Sequence, residues 1–386
     1  MKFLIFLIKW GFPFLVFTDL GSQLFEISAL LNVSRSIRII MLVLFFIETF
    51  KHIKIARKFK FFNYFFWFNV ILFFYLFTDR DFFEGLWIYF KILFWGLGLN
   101  VLFIYQYLGF FTLNDYHQVV KRVVIAAFLM TILFVFTGFI DEEYNIAAYL
   151  ALYLYPTILL FSDNYRKNIL YMALIAFTIV ITFKRGALLG FGLVNIVYFL
   201  GVLRNQFTFK LLMKGVFIVA FFVFAGIYVF ETRENALDER FSEEQFDPNN
   251  KRAGSGRVGA YTGLFEGWYN SDSQIFGLGN QEDSRRLSFK RVYAHSDILG
   301  FLYNYGLVGI LLIVVMYIKI ISFRNYVRKF DKNNAVLISS IFIILIINNM
   351  FSELYKSTDA LYLFALFPYF QFKYSKKNLS QNTTQG

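Results

Sequence analysis

Apolar stretches recur along the whole chain, separated by short polar breaks. They lie near residues 3–18, 36–50, 61–78, 86–108, 123–140, 146–162, 168–183, 187–203, 215–230, 298–318, 336–350 and 360–372. A bilayer core takes ~20 mostly apolar residues per helix, so the pattern predicts an all-α, polytopic integral membrane protein of about twelve transmembrane helices. One break is far longer than the others, a polar segment of 67 positions over residues 231–297. The expected organisation is nine helices in 1–230, the loop 231–297, three helices in 298–372 and a tail 373–386. The first run opens with Met1 and Lys2 and contains Lys9, with no small-residue cleavage site after it. It reads as a retained span, not a removable signal. No internal repeat or Pro-rich linker interrupts the series.

Charge then gives the runs a direction. Lys51, Lys54, Arg57, Lys58 and Lys60 fill one connection, and Lys121 and Arg122 end another. Arg166 and Lys167, then Arg204, Lys210 and Lys214, then Lys319, Arg324, Arg328, Lys329 and Lys332, and finally Lys373, Lys376 and Lys377 follow at alternate connections. The positive-inside rule makes that side, and both termini, cytoplasmic. The opposite connections carry Asp79, Arg80, Asp81 and Glu84, or Asp141, Glu142 and Glu143, and the loop 231–297 falls with them. Lys184 and Arg185 break the rule, a cation pair on the outer side. Either a span is miscounted or the pair snorkels to the interface, or it marks an anion site, since cations at membrane depth often line substrate paths.

Composition narrows the chemistry. The chain is 58% hydrophobic and 22% aromatic, beyond what a soluble core absorbs, and its 55 phenylalanines read as lipid-facing filler. With no cysteine and three histidines (His52, His117, His295), neither a disulfide framework nor a multi-histidine metal site is expected. No cofactor is implied. The net charge of +12 is explained by the sided connections, not by a nucleic-acid partner.

The long loop divides by charge. Glu231, Glu234, Asp238, Glu239, Glu243, Glu244 and Asp247 make an acidic first part, with Ala236, Leu237 and Phe241 spaced for a surface helix. Lys251-Arg252-Ala253-Gly254-Ser255-Gly256-Arg257 then sets three cations around two glycines. It is either a flexible basic turn or a phosphate cradle, because glycine lets amides approach an anion and arginine forks onto phosphate oxygens. His295 stands just before an apolar run and is the sole histidine on the outer side, where a neutral imidazole could take a proton. Glu353, in a short outer connection, is a second candidate base.

Four features in this order resemble the O-antigen ligase and O-antigen polymerase superfamily of bacterial membrane glycosyltransferases. They are Lys184-Arg185-Gly186-Ala187-Leu188-Leu189-Gly190, Ser255-Gly256-Arg257 with aromatics after it, Phe276-Gly277-Leu278-Gly279, and His295 followed by Leu299 and Gly306-Leu307-Val308-Gly309. The resemblance covers roughly residues 140–370, and the N-terminal third matches only as generic spans. Ser296, Tyr261 and Tyr305 stand where the family often has Asn, Trp and an acidic residue.

The resemblance implies a GT-C-like fold. It implies metal-independent, inverting transfer of a sugar from a polyprenyl pyrophosphate lipid to a sugar hydroxyl, outside the bacterial cytoplasmic (inner) membrane. His295, Arg185 and Arg257 would be catalytic, and Lys184, Arg252 and Tyr261 would bind the pyrophosphate. Polymerisation of O-antigen, capsule or exopolysaccharide repeats is the favoured activity, with a chain-length regulator and a flippase as expected partners beside the lipid-linked oligosaccharide and the bilayer. The alternatives are a ligase moving the finished glycan to lipopolysaccharide core lipid or protein, and a transporter of lipid-linked sugars. A transporter would show two similar halves, which this sequence lacks.

Overall fold

The computed structural model describes residues 1–78, 82–137, 145–161, 165–182, 184–205, 257–288, 295–355 and 357–383, and these are helical with no strand among them. The first helix, α1, runs through Lys2–Phe6, a π-helical turn Leu7–Gly11 and Phe12–Leu24. The π turn falls just before Pro13, whose ring and missing N–H disturb the preceding turn. There follow α2 (Ser28–Lys51), α3 (Phe62–Tyr75), α4 (Phe82–Tyr107), α5 (Leu113–Thr137), α6 (Asn145–Leu160), α7 (Tyr165–Ile181) and α8 (Arg185–Asn205). Beyond residue 256 come α9 (Arg257–Tyr269), the short α10 (Glu282–Ser288), α11 (Asp297–Arg328), α12 (Lys332–Phe351), α13 (Ala360–Phe364) and α14 (Leu366–Thr383).

Seven of the described helices are long and apolar enough to cross a membrane, and three shorter apolar helices lie among them. The chain is therefore a polytopic, all-helical membrane protein. The expected ninth span, 215–230, the acidic stretch 231–247 and the basic turn 251–256 lie outside the described residues. So do Asp79, Arg80, Asp81, Asp141, Glu142 and Glu143.

Phenylalanine is not only lipid-facing filler. Phe66, Phe74 and Phe136 do face outward, but Phe61, Phe65, Phe68, Phe301, Phe364 and Phe367 are fully buried. Phe61 stacks on Phe367 at 5.1 Å, Phe65 meets Trp95 edge-on at 5.1 Å, and Phe301 meets Tyr305 at 5.0 Å. In lipid the apolar tails compete equally for every apolar surface, so helices are held by contact quality, and rings supply much of it.

Glycine sets the closest approach. A Cβ on Gly190 of α8 would lie 2.8 Å from Leu152 of α6, and one on Gly201 would lie 2.6 Å from Val336 of α12. Gly186, one turn before Gly190, is pressed against Tyr149 and Phe351. The Gly-x-x-x-Gly spacing in the motif at 184–190 thus lets α8 lie against α6 and α12.

The bundle has two unlike ends. At one, Lys60 lies 3.2 Å from the centre of the Tyr326 ring, and Lys58 donates to Tyr107 Oη at 2.9 Å. The Lys58 carbonyl accepts from Gln371, and Asn205 donates to Asn333 at 3.0 Å. The connections rich in lysine and arginine therefore share that end. The other end holds Lys184, α9, His295 and residues 352–355 and 357–359.

Candidate active site

The site end is organised by the last carbonyls of α12. A helix leaves its final four carbonyls without partners inside the helix. Here four consecutive ones each take a donor from another segment. Asn349 O accepts from Ser296 Oγ at 2.9 Å, Met350 O from Tyr261 Oη at 2.7 Å, Phe351 O from Tyr149 Oη at 3.4 Å, and Ser352 O from the Asp297 amide at 3.2 Å. Asp297 then accepts from the Leu354 amide at 2.7 Å and the Tyr355 amide at 3.3 Å. The start of α11 and the first turns of α9 and α6 are all tied to one helix terminus.

These ties fix His295. Ser296 caps α11, and His295 just before it has φ +45°, a left-handed conformation that histidine tolerates better than most residues. Burial and the nearby charges of Lys184 and Arg257 lower its pKa from 6.5 to about 4, so the imidazole is neutral at physiological pH. Arg257 is also close enough to Tyr261 to offset part of the rise that burial imposes on that phenol.

A second interlock holds the loop. The helix α11 breaks at Gly306 (φ +61°), and Gly277 (φ +74°) lies directly against the break. The amides of Leu278 and Gly279 donate to Tyr303 O and Asn304 O, both at 3.0 Å. In return, Leu307 and Val308 donate to Gln274 O and Ile275 O at 3.1 and 3.2 Å. A Cβ on Gly306 would stand 2.5 Å from Gln274 O, so this crossing requires glycine on steric grounds as well as for φ. Asn304 and Asp283 exchange two hydrogen bonds at 2.8 and 2.9 Å, which pins α10 to α11. The two glycine motifs in the sequence are the halves of one joint.

A cavity of about 690 Å³ opens at this end, lined among others by Lys184, His295, Tyr149, Tyr153, Ser352 and Glu353. The structure thus brings together Lys184, Arg257, Tyr261 and His295 from three separate stretches of sequence. Arg185 is half-buried at the first residue of α8, beside Lys184 but not on the cavity lining. Arg252 lies outside the described residues. Among the described residues no group of three His, Cys, Asp or Glu could hold a metal ion.

Residues 170–314 match the family model described as O-antigen ligase. Over that stretch the chain is similar to the O-antigen ligase family, which supports the superfamily resemblance carried by its motifs. The O-antigen ligase segment contains Lys184, Arg185, Arg257, Tyr261 and His295, and it ends just past the Gly306 joint. No curated protein matches the chain.

Most of the remaining cavity lining comes from outside the O-antigen ligase segment, and sequence reading did not find it. Arg35 and Arg38 of α2, Trp87 and Lys91 of α4, and Asp19 and Glu26 line the same space. Their signal was present: Arg38 and Lys91 are isolated cations inside apolar runs, where a charge is costly unless it has a use.

Proposed function

We propose that this protein transfers a glycan from a polyprenyl pyrophosphate carrier to a sugar hydroxyl at the outer face of the bacterial cytoplasmic membrane, and that its role is polymerisation of a surface polysaccharide. The observation that carries this reading is the convergence of Lys184 and Arg257 on a neutral His295 beside one large cavity. The acceptor hydroxyl attacks the anomeric carbon from the face opposite the pyrophosphate. The bond from that carbon to the phosphate oxygen breaks, and the lipid pyrophosphate leaves with the electron pair. Inversion follows from this single displacement. Negative charge grows on the leaving oxygens, where Lys184 and Arg257 are already in place, with Arg185 and Arg252 next to them in sequence. His295 takes the hydroxyl proton. An arriving pyrophosphate offsets the two cations that depress its pKa, so the imidazole becomes a stronger base when the donor is bound.

In this reading the lysine-rich end of the bundle faces the cytoplasm with both termini, the chain crosses the membrane about twelve times, and residues 231–297 are extracytoplasmic. A flippase supplies the donor and a chain-length regulator limits the product. The description of the matched family favours a second reading, ligation of the finished glycan to a lipid or protein acceptor. The purified protein, given only a synthetic polyprenyl pyrophosphate repeat, should build a ladder of products, and Arg257→Ala should build none. Transfer that occurs only once an acceptor lipid is added would replace polymerase by ligase. No release of polyprenyl pyrophosphate under either condition would end the transferase reading.

A further inference from the structure

The cavity has a second group of cations that the transfer step does not use. Arg35 of α2 has its guanidinium 5.5 Å from the centre of the Trp87 ring. Lys91, one turn beyond Trp87 on α4, has its ammonium 5.9 Å from the same centre. All three side chains line the cavity that also holds His295 and Lys184. The family segment reaches this wall directly: Arg285 of α10 lies 3.8 Å from Glu84, and Asn280 donates to Gly85 O at 3.4 Å, both acceptors at the start of α4.

The acids of this wall do not cancel Arg35. Asp19 is joined to Arg38 in an ion pair, and Asp359 is buried where Arg38 acts on it more strongly than Lys91 does. Glu26 is exposed. Among the described residues no carboxylate comes within ion-pair distance of Arg35, whose guanidinium lies over the Trp87 face. A cavity of about 690 Å³ is larger than a pyrophosphate needs and lies within the roughly 300–1,000 Å³ typical of small-molecule sites.

We propose that Arg35, Trp87 and Lys91 form the subsite for the acceptor glycan and that they select a sugar carrying an anionic substituent, a carboxylate or a phosphate ester. The inference rests on the transferase reading. Pyrophosphate is the same whichever sugar it carries, and its candidate ligands sit inside residues 170–314. The wall around Trp87 is built from helices outside that stretch, where recognition of one particular glycan can differ without disturbing the reaction. Arginine offers a planar fork to a carboxylate, lysine a point charge, and Trp87 holds both cations at the cavity surface.

The test uses the full chain in phosphatidylcholine nanodiscs and two probes, a hexagalacturonate and its carboxyl-reduced neutral counterpart. The acidic oligosaccharide should bind about tenfold or more tightly than the neutral one, the usual worth of one charge-assisted hydrogen bond. Arg35→Gln and Lys91→Gln should each remove most of that preference and leave neutral binding unchanged, while Arg35→Lys should retain much of it. Equal binding of the two probes, or an intact preference in the double glutamine variant, overturns the proposal. So does a wild type that ignores both probes but retains phosphatidylglycerol through Arg35 in native mass spectrometry, since the cations would then hold a lipid headgroup. Binding of the lipid-linked donor is measured alongside. Its absence in wild type removes the transferase reading, whatever the oligosaccharides do.

Discussion

The two ends of the bundle carry similar side chains in different company. At the lysine-rich end several cations have local, neutral uses: Lys60 on the Tyr326 face, Lys58 on the Tyr107 hydroxyl, Arg324 on Ser339 at 2.7 Å. At the site end Lys184 and Arg257 act together on one imidazole beside a cavity, and Arg35 and Lys91 share one indole. Counting charges would rank the first end as the more important. Asking what each charge faces reverses the order: cations at the first end fix orientation and anchor helices, while those at the second surround space a substrate can fill.

The contrast breaks most sharply at His295. His295→Ala should lower turnover by roughly 10²–10⁴-fold while donor binding persists, the usual worth of a positioned base. His295→Gln separates a base from a mere hydrogen-bond donor, and near wild-type turnover in that variant would end the base role.

The pH dependence sharpens the same end. The folded His295 has its pKa near 4, below its ordinary 6.5. Above pH 6.5 it is neutral whether folded or unfolded and contributes nothing. Between 6.5 and 4 the unfolded chain takes up a proton that the folded chain refuses, so stability falls across that window as pH is lowered. Donor binding has the opposite sign. Pyrophosphate raises the imidazole pKa, so binding takes up a proton and should tighten as pH falls through that window. Calorimetry in two buffers of different ionisation enthalpy would read the proton uptake, and His295→Ala should abolish it.

The smallest effect is expected at the other end. Lys58→Gln and Lys60→Gln should leave turnover of correctly inserted protein within about twofold, because exposed single charges contribute little. With no native cysteine, Ser271→Cys should react with an impermeant thiol reagent in spheroplasts and Ser322→Cys should not. The reverse pattern would exchange the two ends.

Much of the fold was legible because the burial rule in lipid is simple, but helix ends were not. The apolar run at 36–50 is part of a helix that begins at Ser28, and the run at 123–140 belongs to one that begins at Leu113. Arg35, Lys121 and Arg122 continue these helices beyond the apolar stretch, and Arg38 lies just inside it. Their charges are met by Trp87, Asp19, Tyr171 and Trp10, so they do not mark loops. His295, Lys184 and Arg257 were legible because each sits where its charge or polarity is out of place. Arg35 and Trp87 were not: each alone reads as an interface anchor, and only folding sets them, with Lys91, around one cavity. The four carbonyls of α12 leave no trace in sequence, since every residue carries one.

The joint between Gly277 and Gly306 also constrains inheritance. A broken membrane helix leaves carbonyls that neither water nor lipid can satisfy, and the amides at 278 and 279 close two of them. The soluble-looking segment 257–288 is therefore a missing piece of α11, not an appendage hung between spans. Recombination that swaps this segment alone between relatives would separate a helix from its own hydrogen bonds. Viable exchanges must carry 257–328 as one block, and a new specificity is more easily acquired on the wall that this block leaves free.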